Sequence, residues 1–451
     1  MGGAAPAAHP ARRSDPLTPV TTAPHHTGSH HSSRPATEWA AARALAHRLP
    51  APLPAESVPL ASAAGRTLAA PLVAAVPLPG FDNSAMDGYA VRGPGPWRVV
   101  GQILAGRTHA VAPLVEGTAV EVATGAPVPG RADRVVPYEI ADRIGDVLRA
   151  VPGDRRHIRC AGEYAARGQE LVPAGSPVTP AVLGLAASVG LDHLTVRARP
   201  RARLLISGDE VVHAGRPPWG RVRDAIGPML APLLSAWGAD LLGPRMVGDQ
   251  PDWFAEAIAD STRDADVTVV CGASSVGPAD GLHASLRHLG AVAHVDGVRC
   301  RPGHPQVLAQ AGARWIVGLP GNPYAALVAA LTLIDPLLTG LAGRPPADLD
   351  TAVLTTDPLR LDERNTRIVP VRRGARGLRL VDGAHPGYLG AAADADALAV
   401  VPPGWRPGTP VGLLTLPWQV GRPPGPGLPA LPGWVGSSEA RTGEADRRIP
   451  L

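Results

Sequence analysis

The hydrophobic and polar positions change period several times along the chain. Thr37 to His47 follows the helical spacing, and Thr37 stands where an N-cap would. From about residue 76 to 151 the pattern shortens into β-type runs broken by Gly and Pro. Trp97–Val100, Ala119–Val122 and Arg134–Tyr138 are the clearest, so a small β-rich lobe is predicted. Thr179 to Val189 reads as a helix opened by Thr179-Pro180.

From residue 201 strand and helix patterns alternate. Arg203–Ile206, Leu241–Val247, Val267–Cys271 and Trp315–Leu319 have strand character. Arg223–Trp237, Pro251–Thr262, Gly281–Leu289 and Pro323–Leu341 have helix character. Val267–Cys271 is a run of β-branched residues closed by Cys271, the mark of a strand covered on both faces. Such a series predicts an open parallel sheet with helices on both sides, where ligands sit beyond the carboxyl ends of the strands. Ile368–Arg372, Leu378–Val381, Ala397–Val401 and Val411–Leu416 return to short β runs. They predict a small barrel or sandwich over about 348–418.

The two ends carry no apolar period. Residues 1–36 and 421–451 are rich in Pro, Gly, Ala and polar residues and read as loose tails. His25, His26, His30 and His31 could bind a metal weakly, but a solvated tail explains them. A length of 451 residues calls for several domains. With 2 Phe, 9 Trp and 5 Tyr, the cores must be packed by Ala, Val and Leu. Pro and Gly number 52 each without a G-X-Y period, which excludes collagen. The best apolar run, Ala325–Ile334, stops at Asp335-Pro336, short of the ~20 residues a membrane span needs. No apolar segment follows Arg12-Arg13, so no signal peptide is read. All 43 basic residues are Arg, and the net charge is only +4. No basic stripe interleaves with aromatics, which disfavours nucleic acid. Cys160, Cys271 and Cys300 fit neither a disulfide framework nor a zinc site, which suits a cytoplasmic protein; Cys271 and Cys300 read as small buried apolar residues.

Three predicted strand ends carry Gly-rich turns: Ser207-Gly208-Asp209-Glu210, Cys271-Gly272 through Asp280, and Leu319-Pro320-Gly321-Asn322-Pro323. Glycine lets backbone approach an anion closely, so the three together suggest a phosphate-bearing ligand, although each alone is explicable as a turn. None is a P-loop, because the lysine is missing. Asp209, Glu210, Asp249 and Asp280 on the same rim suit a hard cation such as Mg²⁺, or else cap the helices that follow. Arg299, Arg301 and His304 could hold an oxyanion or form a solvated loop.

The stretch Phe81-Asp82-Asn83-Ser84-Ala85-Met86-Asp87-Gly88-Tyr89-Ala90 has neither regular period. A loop that packs Phe81 and Met86 while presenting Asp82, Asn83, Ser84 and Asp87 would account for it. This decapeptide resembles the signature of the molybdopterin molybdenumtransferases, of MoeA and gephyrin E-domain type. The likeness continues at Thr124-Gly125-Ala126, Gly162-Glu163, Gly208-Asp209-Glu210, Ser275-Val276-Gly277 with Asp280, Arg301-Pro302-Gly303-His304-Pro305 and Leu319-Pro320-Gly321-Asn322-Pro323.

The resemblance implies a multidomain α/β plus β fold: an elongated linking domain (37–75 and 152–200), the β-rich lobe (76–151), a MogA-like α/β molybdopterin-binding domain (201–347) and a C-terminal β-barrel (348–420). It implies a homodimer with its active site between the α/β domain of one subunit and the lobe of the other. The implied reaction inserts molybdate into adenylylated molybdopterin and releases AMP with Mg²⁺, the substrate coming from a molybdopterin adenylyltransferase. Asp87 and Thr124 would face the partner's pocket. Glu210, Asp249 and Asp280, with Asp209, would be the acidic and metal-holding residues. Ser207, Gly208, Gly272, Ser275, Gly277, Arg301, His304, Pro320, Gly321 and Asn322 would line the pterin, phosphate and oxyanion positions. Departures are also visible. Tyr164 replaces an Asp, Asp224-Ala225-Ile226 loses two polar side chains, Gly272-Ala273-Ser274 replaces Gly-Gly-Val, Arg301 and His304 replace lysines, Ala325 replaces a Ser and Gly387-Tyr388 replaces Gly-Ser. They leave two alternatives to the enzyme: a family member that has lost catalysis and acts as a molybdopterin-binding, chaperone or scaffold protein, or a transferase for a related pterin or nucleotide.

Overall fold

The computed structural model describes residues 35–106, 112–272, 281–355, 363–381 and 387–419. The expected tails, apart from residues 35 and 36, and Ser275, Gly277 and Asp280 lie outside them.

The α/β segment is built on a six-stranded sheet ordered Asp240–Val247, Arg201–Ser207, Val267–Cys271, Arg314–Leu319, Val307–Ala311, Val292–Asp296. The first four strands are parallel, as expected. The last two strands join by antiparallel pairs, so Val307–Ala311 runs against the other five and the sheet is mixed. The cause is local: Ala311 pairs with Arg314 across a two-residue turn at Gly312-Ala313, which reverses the chain. Every residue of Val267–Cys271 is buried. Alternate side chains feed opposite layers. Leu204, Val269 and Val317 pack with the helices Ile226–Ala236 and Pro323–Leu341, whereas Leu205, Val270 and Ile316 pack with Pro251–Asp264 and Gly281–His288.

The helix expected over Arg223–Trp237 starts only at Ile226. Val222–Arg223 pairs instead with Val211–Val212, and buried Asp224 accepts the N–H groups of Ile226 (3.0 Å) and Gly227 (2.9 Å). Pro323–Leu341 has the length and composition of a membrane span, but 89% of its most apolar window is buried within the protein. It contains a π-turn at Ala330–Ile334. Pro336 has no N–H to give Thr332, and Asp335 N–H bonds Ala330, which frees the Leu331 carbonyl. Arg43 donates to that carbonyl and pairs with Asp335 at 3.4 Å, while Trp39 Nε1 donates to Thr332 Oγ1 at 3.0 Å.

Arg43 and Trp39 belong to the first helix, and its expected start is corrected. Thr37–Glu38 is a short strand parallel to Val298–Arg299, and the helix runs Trp39–Arg48. Glu38, not Thr37, is the N-cap, accepting Ala41 N–H at 3.0 Å. Trp39, Ala42 and Ala46 bury in the α/β core, so this helix packs there and not with the linking segment.

The linking segment pairs Ala55–Pro59 with His193–Arg197 and Leu72–Val73 with Glu170–Val172, around Leu68, Leu72, Val178, Leu194 and Val196. Its helix Pro180–Ser188 is capped by Thr179 as expected. The β-rich lobe is a six-stranded sheet ordered Arg134–Pro137, Gly88–Val91, Thr118–Val122, Trp97–Ile103, Val147–Arg149, Asp142–Ile144. Near the C-terminus, Asp350–Val353, Pro410–Thr415, Ala397–Val401, Thr366–Gly374 and Gly377–Leu380 pair in succession, and the bridge Leu354–Leu378 closes the ring. Leu354, Val369, Val371, Leu413 and Trp405 fill this barrel.

Candidate active site

The carboxyl ends of the parallel strands meet at Gly272. Its N–H donates to Leu319 O at 3.1 Å, and Ser207 Oγ donates to Cys271 O at 2.9 Å. Gly272 has φ +99°, and a Cβ there would lie 2.9 Å from Ser207 O. A Cβ on Gly321 would stand 3.5 Å from Gly272 Cα. Ser207, Gly272 and Gly321 are therefore brought together, and at Gly272 only a hydrogen side chain lets the turns approach so closely. Gly208, at φ +127°, turns the chain so that Glu210 folds back over it. Ser207 and Pro320 are buried and shape the rim from beneath. Asn322 accepts Ala325 N–H at 2.9 Å and so caps its helix.

Asp209, Glu210 and Asp249 are exposed on this rim. Two of them hold each other's backbone: Asp209 N–H donates to Asp249 Oδ2 at 3.1 Å, and Asp249 N–H donates to Asp209 Oδ1 at 3.3 Å. Asp249 does not cap the next helix; Gln250 occupies that place and offers no side-chain bond. Arg221 donates to Asp209 O and ties the loop 213–221 to the clamp. Among the described residues, no three His, Cys, Asp or Glu side chains form a ready metal site. The donors are nonetheless all oxygen and open to solvent, the chemistry a hard cation takes. Asp224 was legible only as a remnant of a motif. It is buried behind the rim, and after burial its charge is the second cause that pushes the Cys271 thiol above its ordinary value.

In the lobe, Asp87 Oδ1 accepts both Thr124 N–H (2.6 Å) and Thr124 Oγ1 (3.0 Å). Gly88 must be small, since a Cβ would lie 2.1 Å from Val136 O on the neighbouring strand. The expected display of the decapeptide is partly reversed. Asn83 and Ser84 are buried because they pair with Ile158–Arg159, and Phe81 is 51% exposed. Asp82 and Asp87 do face solvent. Sequence inspection missed the group beside Asp87. Tyr138 Oη donates to Glu121 Oε1 at 2.6 Å, Arg143 donates to Glu121 Oε2 at 2.9 Å, and the rings of Tyr89 and Tyr138 meet edge-on at 5.3 Å. The available signal was the antiparallel register that places Tyr89 opposite Glu121.

Residues 37–190 match the family model "MoeA N-terminal region (domain I and II)", and residues 203–340 match "Probable molybdopterin binding domain". A curated relative from Nostoc, a molybdopterin molybdenumtransferase, is 32% identical over 374 residues, covering 77% of this chain and 85% of the relative. The chain belongs to the molybdopterin molybdenumtransferase family. Molybdopterin molybdenumtransferase 2 of Mycobacterium tuberculosis is 36% identical over 309 residues, 64% of this chain and 76% of that one. The solved MoeA structure from Pyrococcus horikoshii shares the fold, with a TM-score of 0.71 at 23% identity, over 85% of this chain and 99% of that one.

The departures from the family pattern can now be placed. Val298 and Cys300 point inward from their strand, while Arg299 and Arg301 are exposed on the other face. His304 Nδ1 lies 2.8 Å from Val298 O and donates to it. A lysine there would present only donors, so this position has lost a fixed cation. A Cβ on Gly303 would meet Ala325 O at 3.2 Å, so the Arg301–His304 loop rests on the helix that follows Gly321-Asn322. Burial pushes the Cys300 thiol up to about 12, with a smaller opposing effect from Gln306, which fits its reading as an apolar residue. Tyr164 and Tyr388 are 57% and 63% exposed.

Proposed function

We propose that this chain inserts molybdate into adenylylated molybdopterin and releases AMP, as a homodimer supplied by a molybdopterin adenylyltransferase. The observation that carries the proposal is the convergence of three strand-end turns at Gly272 beside the Asp209–Asp249 clamp. Small residues at 208, 272 and 321 let phosphate oxygens approach the backbone. Asp209, Glu210 and Asp249, with Asp280, would hold Mg²⁺. That ion would offset the charge that develops as the pyrophosphate P–O bond breaks. Arg301 supplies a planar cation for an oxyanion, and the His304 ring stands where the family pattern has a second lysine. Asp87 and Thr124 sit on a different sheet from the rim, which suits a site completed by the partner's lobe. The names of the relatives favour the transferase over a member that only binds molybdopterin.

The test is direct. The full chain is given adenylylated molybdopterin, molybdate and Mg²⁺, and AMP release is followed. Release that depends on both molybdate and Mg²⁺ is expected. Tight pterin binding with no AMP above background would replace the enzyme with a binding protein.

A further inference from the structure

Eight tryptophans lie among the described residues, and two of them are largely exposed. Trp219 is 102% exposed and Trp253 59%. Trp253 flanks the acidic clamp, and Trp219 stands on a loop tied to it. Trp219 stands on the loop 213–221, two residues before Arg221, whose guanidinium donates to Asp209 O. A turn from Pro218 O to Arg221 N–H (3.1 Å) shapes the tip that carries the indole. The Val211–Val212 and Val222–Arg223 pair fixes both ends of this loop directly after Glu210. Trp253 opens the helix that follows Asp249. A Cβ on Gly248 would lie 3.1 Å from Asp209 Oδ1 and 3.9 Å from Trp253 Cε3, so carboxylate and indole border the same point. Trp39, Trp97, Trp315 and Trp405 are each at most 5% exposed, and Trp237 and Trp418 are partly buried against the α/β core, so indoles are otherwise used here as core.

Among the described residues these are the two largely exposed indoles, one beside the rim that suits a cation and phosphates and one on the loop tied to that rim. We infer that Trp219 and Trp253 bind the planar nitrogen heterocycle of the ligand by stacking, while the carboxylates hold the cation on its phosphates. This inference rests on the function proposed above. It names the residues that select an aromatic ring over a bare phosphate, with the pterin and the adenine as the two sources of such a ring.

The experiment titrates the full chain with adenylylated molybdopterin, molybdopterin and AMP, reading tryptophan emission and, independently, calorimetric Kd. The wild type should show quenching. Trp219→Ala and Trp253→Ala should each weaken binding of adenylylated molybdopterin by about tenfold, the usual scale for one stacked ring. Trp219→Phe and Trp253→Phe keep a ring and should stay within about threefold, which separates stacking from a folding defect. The two smaller ligands assign the ring: a loss confined to AMP marks the adenine, one confined to molybdopterin marks the pterin. Alanine variants that bind within twofold of wild type would overturn the inference and leave the proposed function standing. A wild type that neither binds adenylylated molybdopterin nor releases AMP removes the proposed function, and this inference with it.

Discussion

The rim of the α/β sheet and the exposed edge of the β-rich lobe use carboxylates in opposite ways. On the rim, Asp209 and Asp249 each give one oxygen to the other's backbone and stand exposed beside Glu210. In the lobe, one oxygen of Asp87 takes both donors of Thr124, and Glu121 is occupied by Tyr138 and Arg143. The rim is an assembly of turns that leaves charge available. The lobe is an assembly of side chains already paired. On the proposed function, a cation-assisted step would fall at the first, and positioning of a ligand brought from elsewhere at the second.

The largest effects should therefore fall on the rim. Glu210→Ala should lower AMP release by about a hundredfold or more, and chelation of Mg²⁺ should produce a comparable loss in the wild type. A variant within threefold of wild type would take Glu210 out of the site. Asp87→Ala alone should also be poorly active, but mixing it with Glu210→Ala tests the contrast between the regions. If each site takes its rim from one subunit and its lobe from the other, half the dimers are mixed, and each mixed dimer has one intact site. Recovery of about a quarter of wild-type activity is then expected. No recovery would place both regions in a site made by a single chain. Gly272→Ala comes next. Its Cβ would press on Ser207 O in a left-handed backbone, so a stability loss of about 1–3 kcal/mol should appear in denaturant unfolding. An unchanged midpoint would mean that the turns tolerate separation.

Much of this was visible in the residue pattern, for physical reasons that also explain the omissions. Val267–Cys271 and Pro323–Leu341 are buried on all sides, so their periods announce them. Thr37–Glu38 and Val298–Arg301 were missed because their pairing is with each other and with Thr366–Arg367, distant in sequence. Pro336 was visible, but its consequence, a freed Leu331 carbonyl taken by Arg43, needs a helix almost three hundred residues upstream. The rim carboxylates could be named from their places after strands. Their mutual clamp could not, because a side-chain bond to another loop's N–H leaves no periodic trace. Trp219 and Trp253 were overlooked for a related reason: a tryptophan in a pattern reads as core until its exposure is known.

The smallest expected effect separates scaffold from ligand contact at one residue of the rim. Asn322 stands in a turn that touches Gly272, yet its Oδ1 accepts the Ala325 N–H and its exposure is intermediate. If capping is its role, Asn322→Ala should cost about 1 kcal/mol of stability. Asn322→Asp should recover that stability, because a carboxylate caps equally well and favours the positive end of the helix. A ligand contact predicts a different pattern: a carboxylate beside phosphates would repel them, so Asn322→Asp would bind adenylylated molybdopterin more weakly than Asn322→Ala. Unfolding midpoints and Kd measured on the same two variants decide between them, since capping ranks Asp above Ala in stability and phosphate contact ranks it below Ala in affinity.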